Sequence, residues 1–490
     1  MIGRRLEPKL EMTDGAGWRA AAVVAAVTSI AYLPVLRNQF LTCYDGRQIP
    51  VYNAFTDAST LSRIAVIFRS FGWGGVYEPL AYAGFALQFP LWGMRPSGYY
   101  LTNILVQSLT AVLVYALAMK LFWIAVRFSR NDAARYRPFA VVSALFFSLH
   151  PLRAEPVAWL AGLCYLLAGL FYFAAVLTYL ELHAAARPGS RLLPSGAWMA
   201  LSLCCFALSL LSYQVGVTLP AVLLILDVYP LRRFSATTGW ARRLLRLLGE
   251  KLPYALIACA VVAYALIGRR LAPAYHTISL RDLDLGSRLA YTFYGLSFYI
   301  EKTIFPVSLH PEYVIAASEL PARLWAWPFA ARACAVLAVT IGAWRLRRRW
   351  PCLPAAWAAY VVMVLPLAGI VKFDIRERAV ADRWSYLAAA PISILAGAAF
   401  LLCWEISARA SNGRRTRRGL AAGVILLLVC LGAMTWRQSL VWRDQETLFR
   451  YMMVADPAGL AQHEAEVAFL KTHKEEWDAA RGRVGLIPGP

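Results

Sequence analysis

The sequence predicts an all-α polytopic membrane protein, and three observations predict it: apolar content, the length of the apolar runs, and where the cations fall between them. Of the 490 residues, 60% are hydrophobic and 16% charged, whereas soluble domains sit near about half apolar and about a quarter charged. A large buried core would also raise apolar content, so run length decides. Segments 18–36, 252–268 and 419–436 are near-continuous apolar runs, each about the ~20 residues a helix needs to cross the hydrocarbon. Similar runs recur along the chain, separated by short charged loops. The formal net charge of +22 would suggest nucleic acid in a soluble protein. Here no aromatic stacking platform accompanies the basic clusters, and nucleic acid is set aside as a partner.

The cations orient the spans. Four clusters, Arg127/Arg130/Arg135/Arg137, Arg232/Arg233/Arg242/Arg243/Arg246, Arg345/Arg347/Arg348/Arg349 and Arg414/Arg415/Arg417/Arg418, lie between apolar runs. The bias of Lys and Arg towards the cytoplasmic side puts all four there, together with Arg4, Arg5 and Lys9 at the amino terminus. A first helix at 18–36 then delivers an outer loop over 37–100, whose short apolar patches predict interfacial helices. Helices follow at 101–125, 139–150 and 156–182. Next comes a hairpin with its tip at Ser212-Tyr213-Gln214, and then a helix at 252–268. Segment 288–305 is apolar as well, but a crossing there would put Arg345 to Arg349 outside. Its Glu301 and Lys302 suit a segment lying along or dipping into the outer leaflet. Helices at 325–344, 353–371, 386–405 and 419–440 bring the count to about eleven. Residues 1–441 thus form the transmembrane domain, and 442–490 a short extracytoplasmic tail. An amphipathic helix is expected at 465–484, and the tail is too short for three ~34-residue helical repeats.

The 9 cysteines include Cys164, Cys204, Cys205, Cys259 and Cys430 inside apolar runs, where a thiol behaves as a small hydrophobe. No paired spacing reads as a zinc site or disulfide framework. The amino-terminal apolar stretch lacks a small-residue cleavage site and reads as a retained helix.

Four polar groups share the outer face in this threading. Tyr44-Asp45-Gly46-Arg47 is either an Asp-Gly turn or the start of a site. His150 and Glu155, in the tip between two helices, either cap helix ends or ligate a divalent cation. Lys372, Arg378, Asp382, Arg383 and Tyr386 belong to the densest charged run outside the membrane. They form either a solvated ion-pair loop or a seat for an anion such as phosphate. Ser297 to Lys302, with Pro306 and His310-Pro311-Glu312-Tyr313, sits at headgroup level, where aromatic and basic residues commonly anchor.

Taken in order, several motifs resemble a known family. They are Asn38-Gln39-Phe40 with Tyr44-Asp45-Gly46-Arg47; Glu78-Pro79-Leu80; Pro96 to Asn103; and Leu149-His150-Pro151 with Glu155. Thr218-Leu219-Pro220 with Asp227, Pro311-Glu312-Tyr313, Ala381-Asp382-Arg383 with Ser385-Tyr386-Leu387, and Trp442-Arg443-Asp444 complete the series. This series is similar to GT-C class membrane glycosyltransferases, in particular the transmembrane-and-tetratricopeptide protein O-mannosyltransferases and their bacterial relatives, without the repeat array.

The resemblance implies a GT-C-like bundle, a polyprenyl- or dolichyl-phosphate sugar as donor (mannose by family default), and a hydroxyl acceptor on a protein or glycan, commonly protein Ser/Thr. It implies Asp45 as the base of an inverting transfer and Arg383, with Arg378 and Lys372, around the donor phosphate. His150, Glu155, Asp382, Tyr386 and Glu78 would support them, with a divalent cation an option at His150 and Glu155. The expected setting is a bacterial inner membrane rather than an endoplasmic reticulum membrane. Four positions depart from the family pattern: Gly46 stands where a second acid is common, Glu78 where Arg is, Tyr213-Gln214 where a Lys-Glu pair is, and Gln107 where His is. These departures keep open a non-catalytic relative that binds lipid phosphate or scaffolds an envelope assembly. A transporter would need inverted repeats or ionisable residues deep in the helices, and neither is evident.

Overall fold

The computed structural model describes residues 15–41, 60–69, 71, 76–126, 133–184, 194–234, 239–271, 284–311, 313–314, 326–327, 329–368, 378–409 and 412–455. The chain forms a helical bundle with one short two-stranded ladder. The long helices are α1 (Gly15–Ala31), α4 (Pro96–Val126), α5 (Ala133–Ser148), α7 (Leu163–Ala184), α8 (Ser195–Ser212), α9 (Leu219–Val228), α10 (Trp240–Leu271), α11 (Leu285–Ile304), α12 (Phe329–Arg345), α13 (Cys352–Val364), α14 (Ala389–Ser407) and α15 (Gly413–Leu440). Between α1 and α4 lie α2 (Thr60–Arg69) and α3 (Pro79–Trp92); α6 (Ala154–Ala158) and α16 (Gln445–Ala455) are short.

Among the described residues, seven helices are long and apolar enough to cross a membrane. Gly15–Ala31, Gln214–Val228 and Cys352–Leu367 are shorter apolar helices. The chain is therefore a multi-pass integral membrane protein. Helix α7 is central, with 78% of its apolar window buried in protein, whereas α15 has 11% buried. Ile425, Leu426 and Val429 of α15, like Leu252 and Leu256 of α10, point outwards. An apolar surface of that kind is stable only against lipid.

The apolar runs set these elements, and polar residues set their breaks. Ser212 ends α8, a 3-10 turn covers Gln214–Thr218, and Pro220 opens α9, which is the hairpin tip expected at 212–214. The helix expected continuously over 156–182 is instead broken. Trp159 is extended, with φ −95° and ψ 126°, so α6 and α7 are separate. The break is pinned from outside: Asn103 Nδ2 donates to the carbonyls of Val157 and Trp159, each at 3.2 Å, and Asn38 Nδ2 to that of Ala158 at 3.3 Å. Carbonyls freed by a broken helix must find donors when buried, and these two asparagines supply them. Gly162 is required here, since a Cβ would strike the Pro156 carbonyl.

The segment between α1 and α4, expected to hold helices within 37–100, forms α2 and α3. Helix α3 does more than lie on a surface, burying Ala81, Phe85 and Ala86 against α4, α7 and α8. Segment 288–305 forms α11, which is absent from the spans long and apolar enough to cross. Asp284 caps it, accepting from Gly286 N at 3.0 Å and Ser287 N at 3.3 Å. Glu301 meets Arg332, near the start of α12, at 2.8 Å. The helix expected at 353–371 ends as α13 at Val364, followed by a 3-10 turn over Leu365–Leu367. Among the site expectations, Asp45 and Lys372 lie outside the described residues, as does the helix expected at 465–484.

Candidate functional site

Three polar groups far apart in sequence meet at one end of the bundle. The 3-10 turn Pro151–Arg153 and α6 carry His150, Arg153 and Glu155. The 3-10 turn Asp382–Ser385, just before α14, carries Asp382, Arg383 and Ser385. An antiparallel ladder of β1 (Tyr313–Val314) with β2 (Arg378–Val380), pairing Tyr313 with Val380, ties the segment after α11 to the same place. This end is opposite Arg414 to Arg418, because Thr435, near the far end of α15, donates to the Leu149 carbonyl at 2.6 Å.

The centre is an ion pair. Arg383 Nη1 donates to Glu155 Oε1, and the Arg383 backbone N–H donates to Glu155 Oε2 at 2.8 Å. The two side chains are 13% and 3% exposed. One carboxylate thus fixes both the guanidinium and the turn that bears it. Burial works against the Arg383 charge, but the Glu155 carboxylate outweighs it and keeps the guanidinium firmly protonated. The guanidinium lies 5.3 Å from the Trp159 ring and 5.7 Å from Trp384, so two indole faces add cation–π attraction. None of the described residues accepts from its Nε or Nη2. Arg383 is therefore no free anion receptor: one edge is neutralised, and no described residue claims the rest of its donor fork.

Asp382 is buried beside this pair. Tyr313 Oη donates to it at 2.8 Å, and the His310 N–H donates to that hydroxyl at 3.0 Å. Burial, and then the Glu155 charge, push the Asp382 carboxyl well above the usual carboxylate range. Tyr299 Oη donates to the Ala381 carbonyl at 3.2 Å, holding the turn from α11. Tyr386 donates to Gln107 Oε1 at 2.5 Å, and its ring packs on Gly169, where a Cβ would collide.

His150 is committed at both ring nitrogens. Nδ1 accepts from Leu152 N at 3.3 Å, and Nε2 faces the Thr303 carbonyl at 3.1 Å, which assigns the proton to Nε2. Burial, with the Arg153 charge next, lowers its imidazole to about 3. Helix capping describes His150, and Glu155 is taken by Arg383. Among the described residues, no three His, Cys, Asp or Glu side chains gather as a cation site. The residues present do not fit a divalent cation at His150 and Glu155, and no step is routed through one.

Arg153, in the same turn, is a residue the sequence motifs do not single out. It is fully buried, donates to Ser385 Oγ, and stacks between Phe147 at 5.7 Å and Tyr386 at 5.4 Å. Its Nε and Nη1 have no partner among the described residues. An arginine on the face where retention bias disfavours cations is the signal that could have found it. Glu78, at the start of α3, hydrogen-bonds Cys164, and Tyr213 feels both Glu78 and Arg383. The acid thus joins the edge of the same cluster. Gln214 reaches back to the Tyr77 carbonyl. Of Arg378, the structure gives the backbone only, in β2.

This is a multi-pass helical membrane protein with a buried, mixed-charge cluster at one membrane face. Its distant relatives are membrane O-mannosyltransferases. Over 222 residues it is 28% identical to the mouse "Protein O-mannosyl-transferase TMTC1", covering 43% of this chain and 22% of that protein. Over 220 residues it is 27% identical to the Xenopus laevis "Protein O-mannosyl-transferase tmtc2", covering 43% and 24%. The matched stretch thus spans under a quarter of the length of these curated relatives. No family model matches. Among solved structures, ArnT from Cupriavidus metallidurans bound to undecaprenyl phosphate aligns with 94% of this chain and 80% of its own, at TM-score 0.40 and 14% identity. The Archaeoglobus fulgidus oligosaccharyltransferase tethered with an acceptor peptide aligns with 88% and 56%, at TM-score 0.45 and 13% identity.

Proposed function

We propose that the chain is a GT-C class glycosyltransferase that moves a sugar from a polyprenyl-phosphate donor to a hydroxyl acceptor at the extracytoplasmic face. The observation that carries this reading is the Glu155–Arg383 pair, with guanidinium donors that no described residue claims and two indole walls. Homology to O-mannosyltransferases supports it, and mannose with a protein hydroxyl acceptor is the default the relatives' names suggest. The threading takes eleven crossings, an amino terminus inside, and the cluster outside.

In this mechanism Asp45 takes the acceptor's hydroxyl proton while the oxygen attacks the anomeric carbon. The bond from that carbon to the phosphate oxygen breaks on the opposite face, and the lipid phosphate leaves with the electron pair. Inversion follows. Arg383 Nε and Nη2 stabilise the charge gathering on the phosphate, and Glu155 holds the fork in place. Arg378 and Lys372 extend the phosphate seat. Asp382, His150 and Tyr386 hold the turns that carry these groups, and Arg153 adds a second positive charge behind Ser385.

A specific observation favours a second reading. Arg383 is already neutralised on one edge, and Glu78 adds an acid at the cluster. In this reading the same cluster binds lipid phosphate without turnover. Binding of labelled undecaprenyl phosphate to reconstituted protein tests the shared element. Arg383→Met should weaken binding by about tenfold or more, the scale of one charge-assisted contact. Equal binding by wild type and variant would remove the phosphate seat from both readings.

A further inference from the structure

On the flank of the same end, the turn after α1 and the end of α15 enclose a groove of about 400 Å³, lined by Leu33, Pro34, Arg37, Trp436, Leu440 and Arg443. That volume falls in the range of about 300–1,000 Å³ typical of small-ligand clefts. Its walls are apolar and open: Leu33 is 45% exposed, and Trp436 and Leu440 are each 42% exposed. Its rim carries two guanidiniums. Arg37 closes the 3-10 turn Leu33–Arg37, and no described residue offers it an acceptor. Among the described residues Arg443 meets Asp444 Oδ2, at a loose 3.7 Å and while 64% exposed, and Asp444 Oδ1 accepts from the Thr447 N–H at 2.8 Å. The Gln39 N–H bonds the Arg443 carbonyl at 2.7 Å, so the two rim segments are fastened together.

We propose that this groove holds one anionic phospholipid of the leaflet on that side, its phosphate between Arg37 and Arg443 and one acyl chain along Leu33, Pro34, Trp436 and Leu440. Two like charges on one rim repel unless an anion lies between them. The guanidinium fork matches phosphate oxygens, and a tryptophan at the groove suits the depth where headgroups meet hydrocarbon. Soluble phosphate would satisfy the arginines but leave the apolar walls uncovered. A zwitterionic lipid brings its own cation to the rim. The assignment is independent of the glycosyltransferase reading, since neither Arg37 nor Arg443 takes part in the transfer.

The test is native mass spectrometry of the purified, delipidated full chain, titrated with phosphatidylglycerol, phosphatidylcholine and undecaprenyl phosphate. Wild type should take up one phosphatidylglycerol about tenfold more tightly than phosphatidylcholine. Arg37→Ala with Arg443→Ala should remove that preference. Leu440→Trp keeps both arginines but fills the groove, and it should also lose the lipid. Arg450→Ala, which removes an exposed arginine paired with Glu446 at 2.6 Å, should bind as wild type does, and each variant's monodispersity separates loss of lipid from loss of fold. Equal losses from Arg450→Ala and the double variant would overturn the site, as would no preference for the anionic lipid. Displacement of phosphatidylglycerol by undecaprenyl phosphate, one for one, would overturn the phospholipid assignment and give the groove to the donor.

Discussion

Removing Glu155 and Arg383 together should cost less stability than the two single removals summed. Glu155 and Arg383 are 3% and 13% exposed, and breaking a buried pair from one side costs about 3–5 kcal/mol, because an uncompensated charge stays behind. Glu155→Gln keeps an acceptor for the Arg383 backbone N–H, so it belongs near the low end, about 3 kcal/mol. Arg383→Met leaves the Glu155 carboxylate buried without its guanidinium, and belongs near the upper end. The double variant Glu155→Gln/Arg383→Met leaves no stranded charge. Its cost should therefore fall short of the sum by about 2 kcal/mol, within the coupling range for residues in contact. Equilibrium unfolding in mixed micelles, run as a double-mutant cycle, reads this directly. Additivity within about 0.5 kcal/mol would refute the pair as the element that fixes the Asp382–Ser385 turn to α6.

Two other outcomes follow from the same geometry. His150 is neutral when folded because burial lowers its imidazole to about 3, while an unfolded histidine titrates near ~6.5. Its contribution to stability is complete above that value and is lost as pH falls from there towards about 3, since the unfolded chain takes the proton first. His150→Asn keeps an acceptor for the Leu152 N–H and should flatten the decline; thermal midpoints from pH 7.5 to 4.5 compare the two, and parallel declines would refute the assignment. For the threading, in a background with the native cysteines replaced, a cysteine at Ala379 should label from outside intact cells and one at Thr416 should not. The reverse pattern would turn the cluster towards the cytoplasm and remove the proposed reaction from its face.

The helices were legible because each apolar run is long and the membrane forbids unpaired backbone, so a run of that length can only be a helix. The break after α6 was not. It depends on Asn38, just past the 3-10 turn after α1, and Asn103 of α4, whose side chains satisfy carbonyls that the local sequence would have left in a continuous helix. The residues of the cluster were legible as types on one face, since Glu155, Asp382 and Arg383 interrupt an apolar pattern where charge is costly. Their pairing was not. Arg383 reads as a free phosphate ligand in sequence, but the ladder from Tyr313 to Val380 and the fold of α6 bring Glu155 onto it first. His150 and Glu155 looked alike as cation ligands because sequence spacing cannot say that Thr303 and Arg383 would claim them. Arg153 went unweighed because its surroundings, Phe147, Tyr386 and Ser385, assemble only when α5, α6 and the turn before α14 meet.

The central claim is transfer with Asp45 as base. The most direct measurement is sugar transfer from labelled polyprenyl-phosphate donors by protein reconstituted in liposomes, comparing wild type with Asp45→Asn and following donor binding in parallel. Wild type should turn over, and the variant should be slower by about 10²-fold or more, the lower scale of general-base catalysis, with donor binding unchanged. Turnover undiminished in Asp45→Asn, or none by wild type across several sugars and acceptors while donor binding persists, would contradict it.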